Sequence, residues 1–267
     1  MNGTPDERRP ELILHFDNNK PRKLKYNLAK ARRAGATRLL TFGGAYSNHI
    51  RAVAAAGRAE GFKTIGVIRG EPHEPLNESL AFAKSQGMHL MYVDRETYRT
   101  KKSNNMRRFL ESCFGDFYLI PEGGSNPAAV KGCAELPQEI AEPFDVICCP
   151  VGTGGTLAGI AAGLGPGQRA IGFATLKGGF LTKEVAELQR QAYQRVFDNW
   201  HIEDDFHFGG YAKVPPELDA FAAKFGEEQG FEVDRIYVAK MLYGITDMIE
   251  AGKFEPGTRI VAVITTG

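Results

Sequence analysis

DVICCPVGTGGT, residues 145–156, decides the fold, because an apolar run of strand length leads directly into a glycine-rich turn. The small-residue pattern LAGIAAGLG follows at 157–165 and predicts a helix. Glycines let a backbone approach an anion closely, and a helix N-terminus offers unpaired N–H groups and a positive dipole end. Thr153 and Thr156 add hydroxyl donors. The stretch therefore predicts a phosphate-binding turn, with a tight turn that holds no ligand as the other interpretation.

Two nucleotide-binding patterns do not fit this turn. A nucleotide P-loop has a lysine after its last glycine, whereas Thr156 follows Gly155 here. The dinucleotide fingerprint spaces its glycines differently and needs an acidic residue about twenty positions further on at a strand end, which the sequence lacks.

Apolar runs and helical patterns alternate along the rest of the chain. Asn48–Glu60 and Leu76–Gln86 are predicted helices, because their apolar residues recur at helical spacing and a glycine follows each. Near-continuous apolar strands between such helices are typical of a parallel sheet covered on both faces, so we predict an α/β fold. The predicted strands are Arg38–Phe42, Lys63–Ile68, His89–Val93, Phe117–Ile120, Val146–Pro150, Ala170–Ala174 and Arg259–Ile264.

A second strand-to-helix junction, GGAYSNH at 43–49, is also a candidate site. Ligands of open parallel sheets lie beyond the carboxyl ends of the strands, where Ser47 and Asn48 would present a hydroxyl and an amide. Either residue equally suits the cap of the following helix. The segment Trp200–Val214 has no clear periodicity and is predicted to be a long ordered loop, whose HFGGYAK stretch either lies near a site or crosses the surface.

The composition limits the class of function. The chain has 267 residues, 43% hydrophobic and 24% charged, with a formal net charge of +1, so nothing favours nucleic acid or an anionic membrane as a partner. No apolar run is long enough to span a bilayer, and the polar first ten residues are not a signal peptide. The four cysteines lack metal-ligand spacing, so we expect reduced thiols, no metal site and a cytoplasmic location.

Several motifs in one order resemble the 1-aminocyclopropane-1-carboxylate deaminase/D-cysteine desulfhydrase family, which has the type II pyridoxal-5′-phosphate (PLP) fold of the tryptophan-synthase-β kind. The resemblance runs from about Glu11 to Gly267. It implies a PLP enzyme acting on small amino acids. The motifs are NKPRKLKYNL, TFGGAYSNH, IGVIRGE, PEGGSN, PVGTGGTLAG, HFGGYAK and KMLYGI.

The resemblance also implies residue roles. Lys20, which composition does not distinguish from the charges around it, would bond covalently to the cofactor's aldehyde and move the substrate Cα proton. The cofactor-binding set would be Lys20, Lys23, Asn48, Val151, Gly152, Thr153, Gly154, Gly155, Thr156 and Thr266, with Lys23 near the phosphate, Asn48 on the phenolic oxygen and Thr266 at the pyridine nitrogen. The catalytic set would be Lys20, Ser47 and Tyr237, and the substrate-binding set Ser47, His49 and Tyr237.

The implied architecture has two α/β domains with open, mostly parallel sheets and the cofactor in the cleft between them. We expect residues 1–35 and 128–267 to form the larger, PLP-binding domain and residues 36–127 the smaller one. A homodimer is implied, and the chain ends at Gly267, where the resembling proteins continue.

Two departures from the family pattern bear on the reaction. Asn18 replaces the glycine of Gly-Asn-Lys, and asparagine tolerates positive φ. Val238 follows Tyr237, where the deaminases have Glu and the desulfhydrases Thr, and a valine cannot hydrogen-bond a substrate. A hydroxyl at the pyridine nitrogen favours α,β-elimination, so D-cysteine desulfhydrase-like chemistry giving pyruvate, ammonia and sulfide is predicted. The alternatives are 1-aminocyclopropane-1-carboxylate deamination and a non-catalytic protein that binds PLP or another anion.

Overall fold

The chain forms two compact units in a computed structural model that describes residues 9–265. The first unit contains the chain up to Asn19 and from Cys133 onward, and the second contains Lys20–Gly132. Residues 20–35 and 128–132, which we expected in the larger domain, therefore belong to the second unit. For residues 20–35 the reason is packing, because Leu24 and Ala31 are buried in the same apolar cluster as Leu39 and Ile50.

The predicted α/β architecture is confirmed, with two wholly parallel sheets. The strands are β1 (Glu11–Asp17), β2 (Arg38–Gly44), β3 (Lys63–Arg69), β4 (His89–Val93), β5 (Tyr118–Ile120), β6 (Val146–Val151), β7 (Arg169–Ala174), β8 (Trp200–Glu203) and β9 (Arg259–Thr265). The helices are α1 (Asn19–Arg33), α2 (Asn48–Glu60), α3 (Glu78–Ser85), α4 (Arg95–Arg99), α5 (Asn104–Phe114), α6 (Pro127–Cys133), α7 (Leu136–Glu139), α8 (Gly155–Gly163), α9 (Leu181–Tyr193), α10 (Pro216–Gln229) and α11 (Val238–Glu250).

The first unit is built on the sheet β1-β9-β6-β7-β8, with helices on both faces. A Cβ on Gly172 would lie 2.5 Å from Leu157 of α8, and a Cβ on Gly244 of α11 would lie 2.5 Å from Phe173. Successive strand residues point to opposite faces, so α8 and α11 cover opposite sides of β7. The absence of a side chain at Gly172 and Gly244 lets both helices pack closely on the sheet.

The second unit is built on the sheet β4-β3-β2-β5. Alternate residues of β2 enter two different cores: Leu39 packs with Ile50 and Val53 of α2, and Leu40 packs with Leu110 of α5. Both faces of this sheet are therefore buried, as its continuous apolar strands predict.

The prediction for Trp200–Val214 was wrong at its start. Trp200–Glu203 forms the edge strand β8, parallel to β7, and a 3-10 turn follows at Asp205–His207. The positive φ considered for Asn18 is not adopted, because within residues 9–265 the non-glycine residues with positive φ are Gln194, Phe208 and Ala212.

Candidate active site

Each sheet has one point where the strand order reverses. In the first unit β7 lies on one side of β6 and β9 on the other, and in the second unit β3 and β5 flank β2 in the same way. A crevice opens at such points beyond the carboxyl ends of the two strands, and ligands of open α/β sheets bind there. Both sequence-predicted junctions, residues 151–156 at the end of β6 and residues 43–49 at the end of β2, lie at these points.

The turn after β6 forms a cup, which we define as Gly152–Thr156. Gly154 is the N-cap residue of α8, with φ 80° and ψ −16°, and has no side chain to cap the helix. The first N–H groups of a helix lack intrahelical acceptors, so those of α8 are suited to bind an anion together with the helix dipole. A Cβ on Gly154 would lie 2.8 Å from Val185, so the turn requires glycine on both conformational and steric grounds.

Buried hydrogen bonds hold the cup in place. The Asn19 side-chain amide donates to the Thr156 hydroxyl at 3.0 Å, and the Thr175 hydroxyl donates to the Val151 carbonyl at 3.1 Å. Because Thr156 Oγ1 accepts from Asn19, its own hydrogen is directed away from that bond and can be donated to an anion.

Tyr237 lies beside the cup. Its Cε1 is 3.2 Å and its Oη 3.8 Å from the position that a Cβ on Gly152 would occupy. The Asp234 carboxylate fixes the backbone here, because it accepts from the N–H groups of Tyr237 at 2.6 Å and Val238 at 3.1 Å. Asp234 was not among the residues predicted from the sequence, although an aspartate just before a helical pattern is a capping signal.

Val238 is one of the two residues in which this chain departs from the family pattern. Its side chain is fully buried in the core cluster that also contains Met241, Leu242 and Ile264. An apolar side chain satisfies this environment without a hydrogen-bond partner, whereas a glutamate would need one.

In the second unit, the turn after β2 presents Ser47 and Asn48 at the start of α2. The Ser47 hydroxyl caps the helix by accepting from the Ile50 N–H at 3.4 Å, and Asn48 is the first helical residue. Capping uses only an acceptor lone pair of the hydroxyl, so Ser47 keeps a hydrogen that can be donated. Contacts of Ser47 and Asn48 with a ligand stay predictions.

His49 is buried, with 2% of its surface exposed. Its Nε2 lies 2.8 Å from the Thr41 hydroxyl, which itself donates to the Ile120 carbonyl at 2.8 Å. Burial, together with the charges of Lys20 and Lys23, lowers the pKa of His49 to about 3, against an opposing effect of the hydrogen bond to the Pro121 backbone. His49 is therefore a neutral imidazole in the folded protein, and its predicted contact with substrate stays a prediction.

Lys20 and Lys23 lie three residues apart in the first turns of α1 and hence on one face of it. Lys20 is partly buried, and Lys23 is 5% exposed. The Lys23 ammonium donates to the Gly123 carbonyl at 3.0 Å and the Ser125 hydroxyl at 3.4 Å. The turn Gly123–Ser125 follows β5, so it lies at the switch point of this sheet. This turn belongs to the PEGGSN motif, for which no role was predicted from the sequence.

The remaining predicted residue, Thr266, lies outside the described residues. The strand that leads to it, β9, runs parallel to β1 with Thr265 opposite Asp17, so the ends of both strands reach the sheet edge at which the cup lies.

Within residues 9–265 no helix has the length and hydropathy of a membrane span.

The cup fits a phosphorylated cofactor, because it combines helix N–H groups, two threonine hydroxyls and a glycine turn that a side chain would fill. A family model described as pyridoxal-phosphate dependent enzyme matches residues 11–266, and the chain belongs to this family. Its cofactor is therefore PLP.

Similar proteins place the chain in a narrower group within this family. A Pyrococcus furiosus protein, provisionally named 1-aminocyclopropane-1-carboxylate deaminase, is 30% identical over 95% of this chain and 81% of its own length. A D-cysteine desulfhydrase of Klebsiella pneumoniae is 26% identical over 95% of this chain and 83% of its own length. The crystal structure of a homologue of 1-aminocyclopropane-1-carboxylate (ACC) deaminase superposes on this chain with a TM-score of 0.83 at 25% identity. The superposition covers 98% of this chain and 95% of the other. The chain thus falls in the deaminase/desulfhydrase group, whose members carry both names.

Proposed function

We propose that this chain is a PLP-dependent lyase that catalyses α,β-elimination from a small amino acid, with D-cysteine as the favoured substrate. The observation that carries the choice of substrate is Val238, an apolar and fully buried side chain after Tyr237, where the deaminases of the family have a glutamate. The products would be pyruvate, ammonia and sulfide.

The cup would bind the phosphate through the first N–H groups of α8 and the hydroxyls of Thr153 and Thr156. Bound PLP supplies the sink for the electron pair that remains when the substrate Cα loses its proton. Lys20 Nζ would take that proton, and the Ser47 hydroxyl would orient the substrate carboxylate or relay a proton.

The test is to supply D-cysteine, other β-substituted amino acids and 1-aminocyclopropane-1-carboxylate separately, and to measure α-keto acid and sulfide. We expect keto acid and sulfide in equal amounts from D-cysteine. Keto acid from the cyclopropane substrate alone would establish the deaminase, which the names of the Pyrococcus relatives favour. A protein that binds PLP visibly and turns over none of these compounds would be the non-catalytic alternative.

The G154A substitution tests the cup. We expect it to weaken PLP binding about tenfold, equivalent to ~1.4 kcal/mol, because the new Cβ is strained at φ 80° and lies 2.8 Å from Val185. The measurement is a titration of the cofactor's visible absorbance.

G167A is the matched control for this prediction. Gly167 has the same φ of 80°, and a Cβ there would meet nothing within 4 Å. Both variants should lose about 1 kcal/mol of unfolding free energy through backbone strain, but only G154A should lose cofactor affinity. Equal affinities in the two variants would refute the assignment of the phosphate to the cup.

A further inference from the structure

Lys240 of α11 has a fully buried side chain in the first unit. Its ammonium donates to the backbone carbonyls of His207 at 2.9 Å and Gly210 at 2.7 Å. A buried charge is costly unless it is hydrogen-bonded, and burial lowers the pKa of Lys240 while Asp234 partly offsets this effect. A methionine would fill the same space without that cost, so the amine calls for an explanation beyond packing.

The two carbonyls belong to a strained turn, which we define as His207–Ala212. Phe208 and Ala212 have φ values of 52° and 55°, and Gly209 and Gly210 have 88° and 115°. A non-glycine residue in the left-handed region costs roughly 1–3 kcal/mol and persists only where its surroundings hold it. Phe208 anchors one side of the turn by packing edge-on against Tyr243 at 5.0 Å.

The other side of the turn reaches the cup. The Tyr211 ring lies 6.0 Å from the Tyr237 ring at an interplanar angle of 66°, an edge-to-face contact. Tyr237 in turn occupies the space beside Gly152, with its Cε1 3.2 Å from the position that a Cβ there would take. The turn, the two tyrosine rings and the first glycine of the cup are therefore consecutive contacts within one unit.

We propose that Lys240 is a positioning residue: by binding the His207 and Gly210 carbonyls it holds the strained turn so that Tyr211 fixes Tyr237 against the cup. Two glycines in succession give a flexible backbone, and pinning the carbonyls that flank them removes this freedom. Without the amine, the turn relaxes to unstrained backbone conformations and Tyr237 loses its lateral support. The inference depends on the proposed function only through its kinetic measurement.

The test compares K240M with K213M, which makes the same substitution at an exposed position of the adjoining chain. In K240M we expect amide hydrogen exchange at residues 208–213 to become at least about tenfold faster. We expect kcat/KM for D-cysteine to fall about 100-fold, since a displacement of about 1 Å at a reacting centre has this effect. K213M should match the wild type in both measurements.

A role in packing alone predicts a different result. The unfolding midpoint of K240M would then fall while exchange at 208–213 and kcat per bound cofactor stay within twofold of the wild type, and this outcome would overturn the proposal.

If K240M does not fold, the G210A variant tests the turn instead. It keeps Lys240 but places a side chain at φ 115°, which strains the turn directly. Faster exchange at 208–213 with lower kcat/KM supports the proposal, and wild-type behaviour refutes it. A wild-type protein inactive on D-cysteine would refute the proposed substrate only, since hydrogen exchange still tests Lys240.

Discussion

K20A is expected to abolish turnover, with kcat reduced about 1,000-fold or more, because in the proposed mechanism one amine is both the covalent attachment of the cofactor and the Cα base. Borohydride reduction should attach the cofactor to the peptide containing Lys20 in the wild type and to no peptide in K20A. The cup belongs to β6 and α8 and is unchanged, so K20A should still bind PLP reversibly. Peptide mass spectrometry and absorbance titration measure these two outcomes.

K25A is the control for K20A. Lys25 lies on the same helix, α1, and is exposed, so its removal changes the local charge equally without removing the reacting amine. We expect K25A to keep the cofactor label and activity within about twofold. A borohydride-stable label retained by K20A would mean that another lysine bonds the cofactor, and the proposed mechanism would be wrong.

H49Q is expected to flatten the acid side of the stability curve. The pKa of His49 is about 3 in the folded protein and 6.5 in the unfolded chain, so between these pH values only the unfolded chain binds the proton. The free energy of unfolding therefore falls as the pH decreases from about 6.5 to 3. The slope approaches ~1.4 kcal/mol per pH unit and the sum about 5 kcal/mol. Glutamine has no titrating group and can still hydrogen-bond to Thr41.

Denaturant unfolding at several pH values between 7 and 4 measures this effect. Carboxylates titrate in the lower part of the window, so the informative quantity is the difference between wild type and H49Q. H73Q removes an exposed imidazole from the same unit and should keep the wild-type slope. Parallel curves for wild type and H49Q would show that His49 takes up its proton without unfolding.

The elements with strong local signals could be predicted from the sequence. His89–Val93 is a strand with the predicted bounds, and Asn48–Glu60 is a helix that ends at Gly61, a C-cap residue with φ 77°. These segments bury continuous or periodic apolar faces, so their patterns reflect their packing directly. The turn that forms the cup could also be predicted, because its glycines are local requirements of the backbone.

Helix α1 shows why other parts could not be predicted. Its buried face includes Leu24, Asn27 and Ala31, and the polar Asn27 interrupts the apolar spacing that identifies a helix. Asn27 is buried because it hydrogen-bonds Asn126 and Tyr118, partners about a hundred residues away in the sequence. The link between Lys240 and the His207 and Gly210 carbonyls is long-range in the same way.

The pairing of β1 with β9 affects how the protein is made. Glu11 of β1 lies opposite Arg259 of β9. The first strand of this sheet to be synthesised therefore cannot pair until the last strand, β9, has been synthesised. By contrast, all four strands of the second sheet have been synthesised once translation passes Ile120. During translation we therefore expect the second unit to fold first, while Leu12 and Leu14 of β1 stay exposed to chaperones until β9 leaves the ribosome.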